Sequence, residues 1–378
     1  SSDLDFEPKN HVDLCESLGM IDYPRGAKVG GNGAWIYRGA GARLEWALLN
    51  FFINEHLADG YELILPPHML NYECGYVAGQ FPKFSEEVYW IQNPTSADKK
   101  FMLPTAETVL VNLHRDEILT EDELPKKYIA YTPCYRREAG SYRSEERGMI
   151  RGHQFNKVEM FQYTRPEDSD AAFEELVTKA ENLVKGLGFH FRTVKLAAGD
   201  CSASMARTYD IEIQIPSMNG YKEVSSVSNA RDYQARRGNI RFRRAETGKI
   251  EYVHTLNGSG LATSRIFPAM VEQNQLADGS VVVPEVLRKY LGGLEAELRL
   301  FPLDQVYSGD TYEIAHSGPY VHWSPDSLYF HDDLDTLEIL GPHVNMVFGD
   351  FNWYGPQKVT LEQWKQVERR CEFANLDN

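Results

Sequence analysis

The pattern that most limits the fold is a succession of strand-like runs joined by turns and irregular segments, with no helix regularly inserted between one strand and the next. The runs are Tyr128 to Tyr135, Lys157 to Tyr163, Thr208 to Gln214, Tyr221 to Val227 and Tyr252 to Leu256. Parallel neighbours need long, usually helical crossovers, so this spacing favours an antiparallel sheet in an α+β domain over a doubly wound one. Two helices stand apart from the runs. Leu44, Ala47, Leu48, Phe51 and Phe52 recur at helical spacing over Leu44 to Leu57, with Gly60 as the closing residue. The extended stretch Tyr61 to Leu65 follows, and Pro66-Pro67, which cannot donate ladder hydrogen bonds, ends it or confines it to an edge. Phe173, Leu176, Val177, Ala180, Leu183, Val184 and Leu187 form the apolar face of a second helix, with Asp168 or Ser169 to cap its start and Gly188 its end.

A chain of 378 residues that is 42% hydrophobic can bury a substantial core, as one large domain or two ordinary ones. No stretch reaches the roughly 18–20 apolar residues of a membrane helix, and the polar start Ser1-Ser2-Asp3-Leu4-Asp5 has no signal pattern. Cys15, Cys74, Cys134, Cys201 and Cys371 are scattered and never form a C-x-x-C pair, so neither a disulfide frame nor a zinc site is indicated. These features predict a cytoplasmic protein without membrane contact or zinc. Near Gly292-Gly293 the composition shifts toward aromatics, Asp and Gly, ending in an amphipathic stretch around Leu361 to Phe373, which predicts a domain over 1–295 and a small C-terminal extension over 296–378. Residues 301–378 carry 13 acidic against 4 basic side chains, −9 of a total net charge of −16, a poor surface for a phosphate backbone. The glycines of Gly30-Gly31-Asn32-Gly33 and Gly39-Ala40-Gly41 do not follow a strand and open a helix as a dinucleotide loop must, and no Walker A motif is present.

Three segments concentrate chemistry-bearing residues. Thr132 to Gly140 contains Arg136, Arg137 and Glu138 where a strand runs into a loop, and Arg147 to Glu159 follows with His153, Phe155, Lys157 and Glu159. Arginine forks match carboxylate and phosphate oxygens, and a strand end holds a fork rigidly; a charged surface hairpin is the plainer reading. In Tyr221 to Asn229, regular alternation places Glu223 and Ser225 on one face and Val224 and Ser226 on the other. A carboxylate beside a hydroxyl suits Mg²⁺, a hard cation often shared with substrate phosphates, although a solvated strand accounts for it equally well. His254 to Met270 reads as a strand, a glycine turn at Gly258 and Gly260, and a helix whose free N–H groups could meet an anion, or as an ordinary turn.

Taken in order, the three segments closely resemble the catalytic core of seryl-tRNA synthetases of the bacterial type, from about Asp5 to Gly292. Thr132-Pro133-Cys134-Tyr135-Arg136-Arg137-Glu138-Ala139-Gly140 and His153-Gln154-Phe155-Asn156-Lys157-Val158-Glu159 match the family's motif 2, and His254-Thr255-Leu256-Asn257-Gly258-Ser259-Gly260-Leu261-Ala262 with Arg265 its motif 3. Pro104 to Thr108, Tyr209-Asp210-Ile211-Glu212 and Asp232 to Arg237 match as well. The resemblance implies an α+β class II synthetase fold, an antiparallel sheet flanked by helices, dimeric through a motif 1 corresponding to Leu44 through Pro67. It implies a ligase that uses ATP and Mg²⁺ to turn serine, or a close small amino acid, into an aminoacyl adenylate. Arg136 would bridge the α-phosphate and the amino-acid carboxylate, with Arg137 beside it. Glu138 would contact adenine, and Phe155 and Arg265 would sandwich the base. Glu223 and Ser226 would hold Mg²⁺ and phosphate, with Val224 and Ser225 completing that segment, provided the strand is locally irregular. Thr105, Ala106 and Glu107 would surround the ammonium group, and Glu159, Ser259 and Asn257 would recognise serine. Arg136, Arg265 and Glu223 are thus the expected catalytic residues.

Departures from the family concern the acceptor. No long helical hairpin for tRNA precedes the core; Arg143-Ser144-Glu145-Glu146 replaces the usual Gly-Arg-Asp-Thr; Gln214 stands where tryptophan is common; and the acidic tail has no counterpart. These features predict an arm-less homologue that passes its acyl group to a carrier protein or to a small-molecule amine or hydroxyl rather than to tRNA. The alternatives are a genuine serine–tRNA ligase lacking or trimmed of its N-terminal tRNA-binding arm and, third, a non-catalytic synthetase paralogue.

Overall fold

The computed structural model describes residues 6–92, 99–138, 148–291, 299–300, 336–339 and 357–360. Its centre is a seven-stranded sheet built from β1 (Glu62–Ile64), β2 (Lys126–Tyr135), β3 (Gln154–Thr164), β4 (Phe191–Lys195), β5 (Arg207–Ile215), β6 (Gly220–Arg231) and β7 (His254–Ala262). The strands lie in the order β4-β5-β6-β7-β3-β2-β1. All neighbours are antiparallel except β1, which runs parallel to β2 at the edge.

Three long helices, α1 (Gly39–Ala58), α2 (Ser169–Gly186) and α3 (Thr263–Gln273), share the larger hydrophobic core with the sheet. The central strand β3 shows how the faces divide, because successive side chains of a strand point to opposite sides. Val158 and Met160 enter the large core with the helices, whereas Phe161 and Tyr163 enter a smaller core with Ala106, Leu110 and Ala235. Every residue from Lys157 to Thr164 is buried, as a strand covered on both faces requires.

The helix predicted from Leu44 begins five residues earlier, at Gly39, and Gly60 follows it at a φ of 81°, which glycine adopts without strain. The second helix starts at Ser169, but Asp168 does not cap it. Its carboxylate accepts a hydrogen bond from Arg165 Nε at 2.6 Å instead. The run Tyr252 to Leu256 divides at Val253: Ile250–Tyr252 joins a separate three-stranded sheet with Arg241–Arg243 and Ile118–Thr120, and β7 begins at His254. The glycine turn expected after Asn257 is also corrected, because β7 continues through Gly258 and Gly260 to Ala262, with a register shift against β3 between Ser259 and Ala262. A Cβ at Gly260 would lie 2.3 Å from the His56 ring, so this glycine serves close packing against α1. Val281–Val282 pairs with Arg299–Leu300, and Thr336–Ile339 with Gln357–Thr360. The rest of the tail lies outside the described residues. Among the described residues, no helix is long and apolar enough to cross a membrane.

Candidate active site

Register alone gathers the site on one face of the sheet. Directly paired residues of antiparallel strands share a face, as do residues two apart along a strand. Glu159 pairs with Ser259 and Phe161 with Asn257, so Phe155, Lys157, Glu159, Asn257 and Ser259 all project to the side opposite the long helices.

The second arm of the site needs an irregularity, and β6 contains it. Ile211 pairs with Ser225 but Glu212 pairs with Glu223, leaving Val224 as the extra residue of a β-bulge. Regular alternation would send Glu223 toward the helical core with Ser225. The bulge instead gives that position to Val224, 2% exposed, and turns Glu223 to the same face as Ser226, Asp210 and Glu212. Crowding among these carboxylates is visible in Asp210, whose pKa burial and then the Glu223 charge push up to about 6. Ser225 is buried below the site, donating to the Ser259 carbonyl at 2.6 Å. Among the described residues, no three His, Cys, Asp or Glu side chains are placed to hold a metal ion by themselves.

Arg136 leaves the end of β2 and is held by Nε donation to the Pro104 carbonyl at 3.2 Å, its guanidinium 5.2 Å from the Phe155 ring centre. Arg265, in the first turn of α3, donates Nη1 to the Glu223 carbonyl at 2.7 Å and Nε to the Ile150 carbonyl at 3.3 Å, and stands 3.5 Å from Glu223 Oε2. Glu138 sits at a φ of 51° and accepts from Arg151 Nη1 at 2.6 Å. Arg137 points away, exposed, donating to the Glu86 carbonyl at 3.0 Å.

The pocket between these arginines and β7 is closed and charged. Glu159, 1% exposed, is in ionic contact with Lys157 Nζ and accepts from Asn257 Nδ2 at 3.2 Å and from Thr105 Oγ1 at 3.5 Å. Lys157 also donates to Thr105 Oγ1 at 2.7 Å. Glu107 opens a short helix, Glu107–Leu110, after the buried Ala106. Burial, reinforced by the nearby Glu159 charge, raises its carboxyl to about 7, and Gln234 Nε2 donates to it at 2.7 Å. Thr255 Oγ1 donates to Gln234 Oε1 at 2.6 Å, which fixes the amide with its NH₂ group toward Glu107. Asn257 Oδ1 is buried without a hydrogen-bond partner, a free acceptor in the pocket wall.

The structure therefore brings together Thr105, Ala106, Glu107, Arg136, Phe155, Glu159, Glu223, Ser226, Asn257, Ser259 and Arg265. It puts Val224 and Ser225 beneath the site and Arg137 outside it. Three residues join the site to which the sequence assigned no role: Lys157, Asp210 and Gln234. Lys157 alternates with Phe155 and Glu159 at strand period, a signal that was present. Residues 139–147, with Glu145 and Glu146, lie outside the described residues.

Residues 89–274 match the model of the tRNA synthetase class II core domain (G, H, P, S and T). "Serine--tRNA ligase 2" of Clostridium acetobutylicum is 73% identical over 290 residues, spanning 76% of this chain and 68% of its own length. The serine–tRNA ligase of Chlorobaculum parvum is 51% identical over 290 residues, covering 76% of this chain and 67% of its own. Among solved structures, the seryl-tRNA synthetase from Pyrococcus horikoshii complexed with ATP has a TM-score of 0.74 at 38% identity, covering 79% of this chain and 65% of that one. The chain thus spans about two thirds of the length of the relatives it matches.

These relatives overturn the expected acceptor. The expectation of a carrier protein or a small-molecule amine or hydroxyl rests on the departures named above, Glu145, Glu146, Gln214 and the acidic tail among them, yet the curated relatives are serine–tRNA ligases. The inference failed because a few local carboxylates do not determine the sign of a surface assembled from other elements. With the match to the class II core and 73% identity to a serine–tRNA ligase, the chain belongs to the seryl-tRNA synthetase family, a family of aminoacyl-adenylate-forming ligases.

Proposed function

We propose that this chain activates serine with ATP and transfers the seryl group to tRNA. One observation carries the serine reading: the Glu159 carboxylate is buried, clamped by Lys157, Thr105 and Asn257, and paired across the strands with Ser259. A buried acceptor set to receive a small hydroxyl rejects alanine, because alanine would leave it unpaired. Glu107, beside it, receives the ammonium group.

In the first step, an oxygen of the serine carboxylate attacks the α-phosphorus of ATP. The new O–P bond forms as the bond to the bridging oxygen breaks, and pyrophosphate departs with the electron pair. Arg136 orients the attacking carboxylate against the α-phosphate, and Arg265 meets the charge that grows on the leaving group. Phe155 stacks on adenine, and Glu138 receives its amino group. The donor set on the bulged face of β6 fits a hard cation shared with phosphates, since such an ion takes only one or two protein carboxylates. Glu223 and Ser226 would hold Mg²⁺ there, supplying charge neutralisation to the phosphates. In the second step a hydroxyl at the tRNA 3′ end attacks the seryl carbonyl and AMP leaves.

Residues 1–295 form the catalytic domain in this reading, and 296–378 an extension. The chain pairs with a second copy through Leu44 to Pro67, where Trp46, Leu63 and Leu65 present apolar surface to solvent. ATP–pyrophosphate exchange with a panel of amino acids tests activation, and charging of serine tRNA tests transfer. Serine should support exchange well above alanine or threonine. Exchange that no amino acid stimulates would end the reading.

A further inference from the structure

Glu45 lies on α1 within the Leu44 to Pro67 stretch, and none of the substrate-site roles above uses it. It is 3% exposed and lies beneath the site, and the groups that hold it are neutral. Its Oε1 accepts from Thr263 Oγ1 at 2.5 Å and from Asn156 Nδ2 at 2.8 Å. Its Oε2 is buried without a well-aligned hydrogen bond, although the Tyr37 hydroxyl stands close enough to interact with the carboxyl. Burial raises this carboxyl to about 7. A buried carboxyl with no cation beside it is costly to keep, which makes its two partners informative.

Thr263 is the first residue of α3, and Arg265 lies two residues on, in the same turn. Asn156 lies on β3 between Phe155 and Lys157, and its own carbonyl accepts a second contact from Thr263 Oγ1 at 3.2 Å. Tyr131 on β2 donates to Asn156 Oδ1 at 3.3 Å. A single carboxyl on α1 thus ties the start of the helix bearing Arg265 to the strand bearing Phe155. In the ATP reading above, Phe155 stacks on adenine and Arg265 meets the phosphates, so both side chains serve the nucleotide.

We infer that Glu45 is a positioning residue for nucleotide binding: it fixes the separation of Phe155 and Arg265 through Asn156 and Thr263 and touches no substrate itself. The inference rests on the ATP reading above but not on the amino acid being serine. Side chains held a fraction of an ångström from their productive places lose much of their contribution, so the effect should fall on ATP rather than on the amino acid.

The test is calorimetric binding of ATP with Mg²⁺ to the full chain, alongside serine-dependent pyrophosphate exchange. Glu45→Ala should weaken ATP binding at least about tenfold while the KM for serine stays within about twofold. Glu45→Gln, which keeps an acceptor oxygen, should restore ATP binding to within about threefold of the parent. Thr263→Val, which removes one tie and keeps the volume, should weaken ATP binding in the same direction, and it carries the test if Glu45→Ala does not fold. Unchanged ATP affinity in folded Glu45→Ala or Thr263→Val, or equal losses for ATP and serine, would overturn the inference. A parent protein that binds ATP but shows no serine-dependent exchange would defeat the serine reading while leaving this comparison intact.

Discussion

The two halves of the site are built on opposite principles. On the amino-acid side, Glu159, Lys157, Thr105 and Glu107 are all below 9% exposed and already hold one another before any substrate arrives. On the nucleotide side, the Glu223 side chain is 44% exposed, Arg265 contacts mainly backbone carbonyls, and Asp210, Glu212 and Glu223 crowd one face with Arg265 and Arg192 at its margins. The closed half is suited to rejecting wrong amino acids, because its buried groups penalise any substrate that leaves them unpaired. The open half is suited to a large polyanion whose own charges, together with a cation, complete the electrostatics.

Glu159→Ala should break the closed half most severely. Serine-dependent exchange should drop by about a thousandfold or more, since the acceptor that recognises the hydroxyl is removed. The same change strands Lys157 as a buried unpaired cation and should cost about 3–5 kcal/mol of stability, read from denaturant melts. On the open half, Arg265→Ala should lower kcat for exchange by about a hundredfold with little change in serine KM, the loss typical of one preorganised charge donor.

Exchanging the two residues, Glu223→Val together with Val224→Glu, tests how the open half is assembled. In the bulged strand the carboxylate then occupies the core position while valine faces the site, and exchange should fall by about a hundredfold. Activity near that of the parent would show that the bulge does not position Glu223.

The bulge also marks what the sequence could and could not disclose. The antiparallel strands, α1 and α2, and the clustering of Arg136, Glu159 and Arg265 were legible from periodicity and motif order. Alternation alone put Glu223 with Ser225, and only the inserted residue reverses that pairing. The glycines of β7 read as a turn because local sequence cannot reveal that the His56 ring occupies the space of a side chain at Gly260. Gln234 became a site residue through a contact made across more than 120 residues, to Glu107, which no local spacing reports.

A smaller effect concerns pH. Glu107 has a carboxyl near 7 in the folded chain against 4.5 in the unfolded one, so between those values the folded state keeps a proton that the unfolded state has lost. Its contribution to stability therefore declines as pH rises from about 4.5 to about 7, by an amount on the order of 3 kcal/mol. Glu107→Gln should flatten the stability profile in that window. A serine ammonium favours the ionised carboxylate, so serine KM should fall as pH rises through about 7. A KM independent of pH there would remove Glu107 from ammonium recognition.

The central claim is that the closed half selects serine through Glu159. Its most direct measurement is ATP–pyrophosphate exchange by the parent chain and by Glu159→Gln, each with serine and with alanine. The account predicts strong preference for serine in the parent and collapse of that preference in Glu159→Gln, chiefly through loss of the serine rate. Equal preference for serine in both proteins would contradict it.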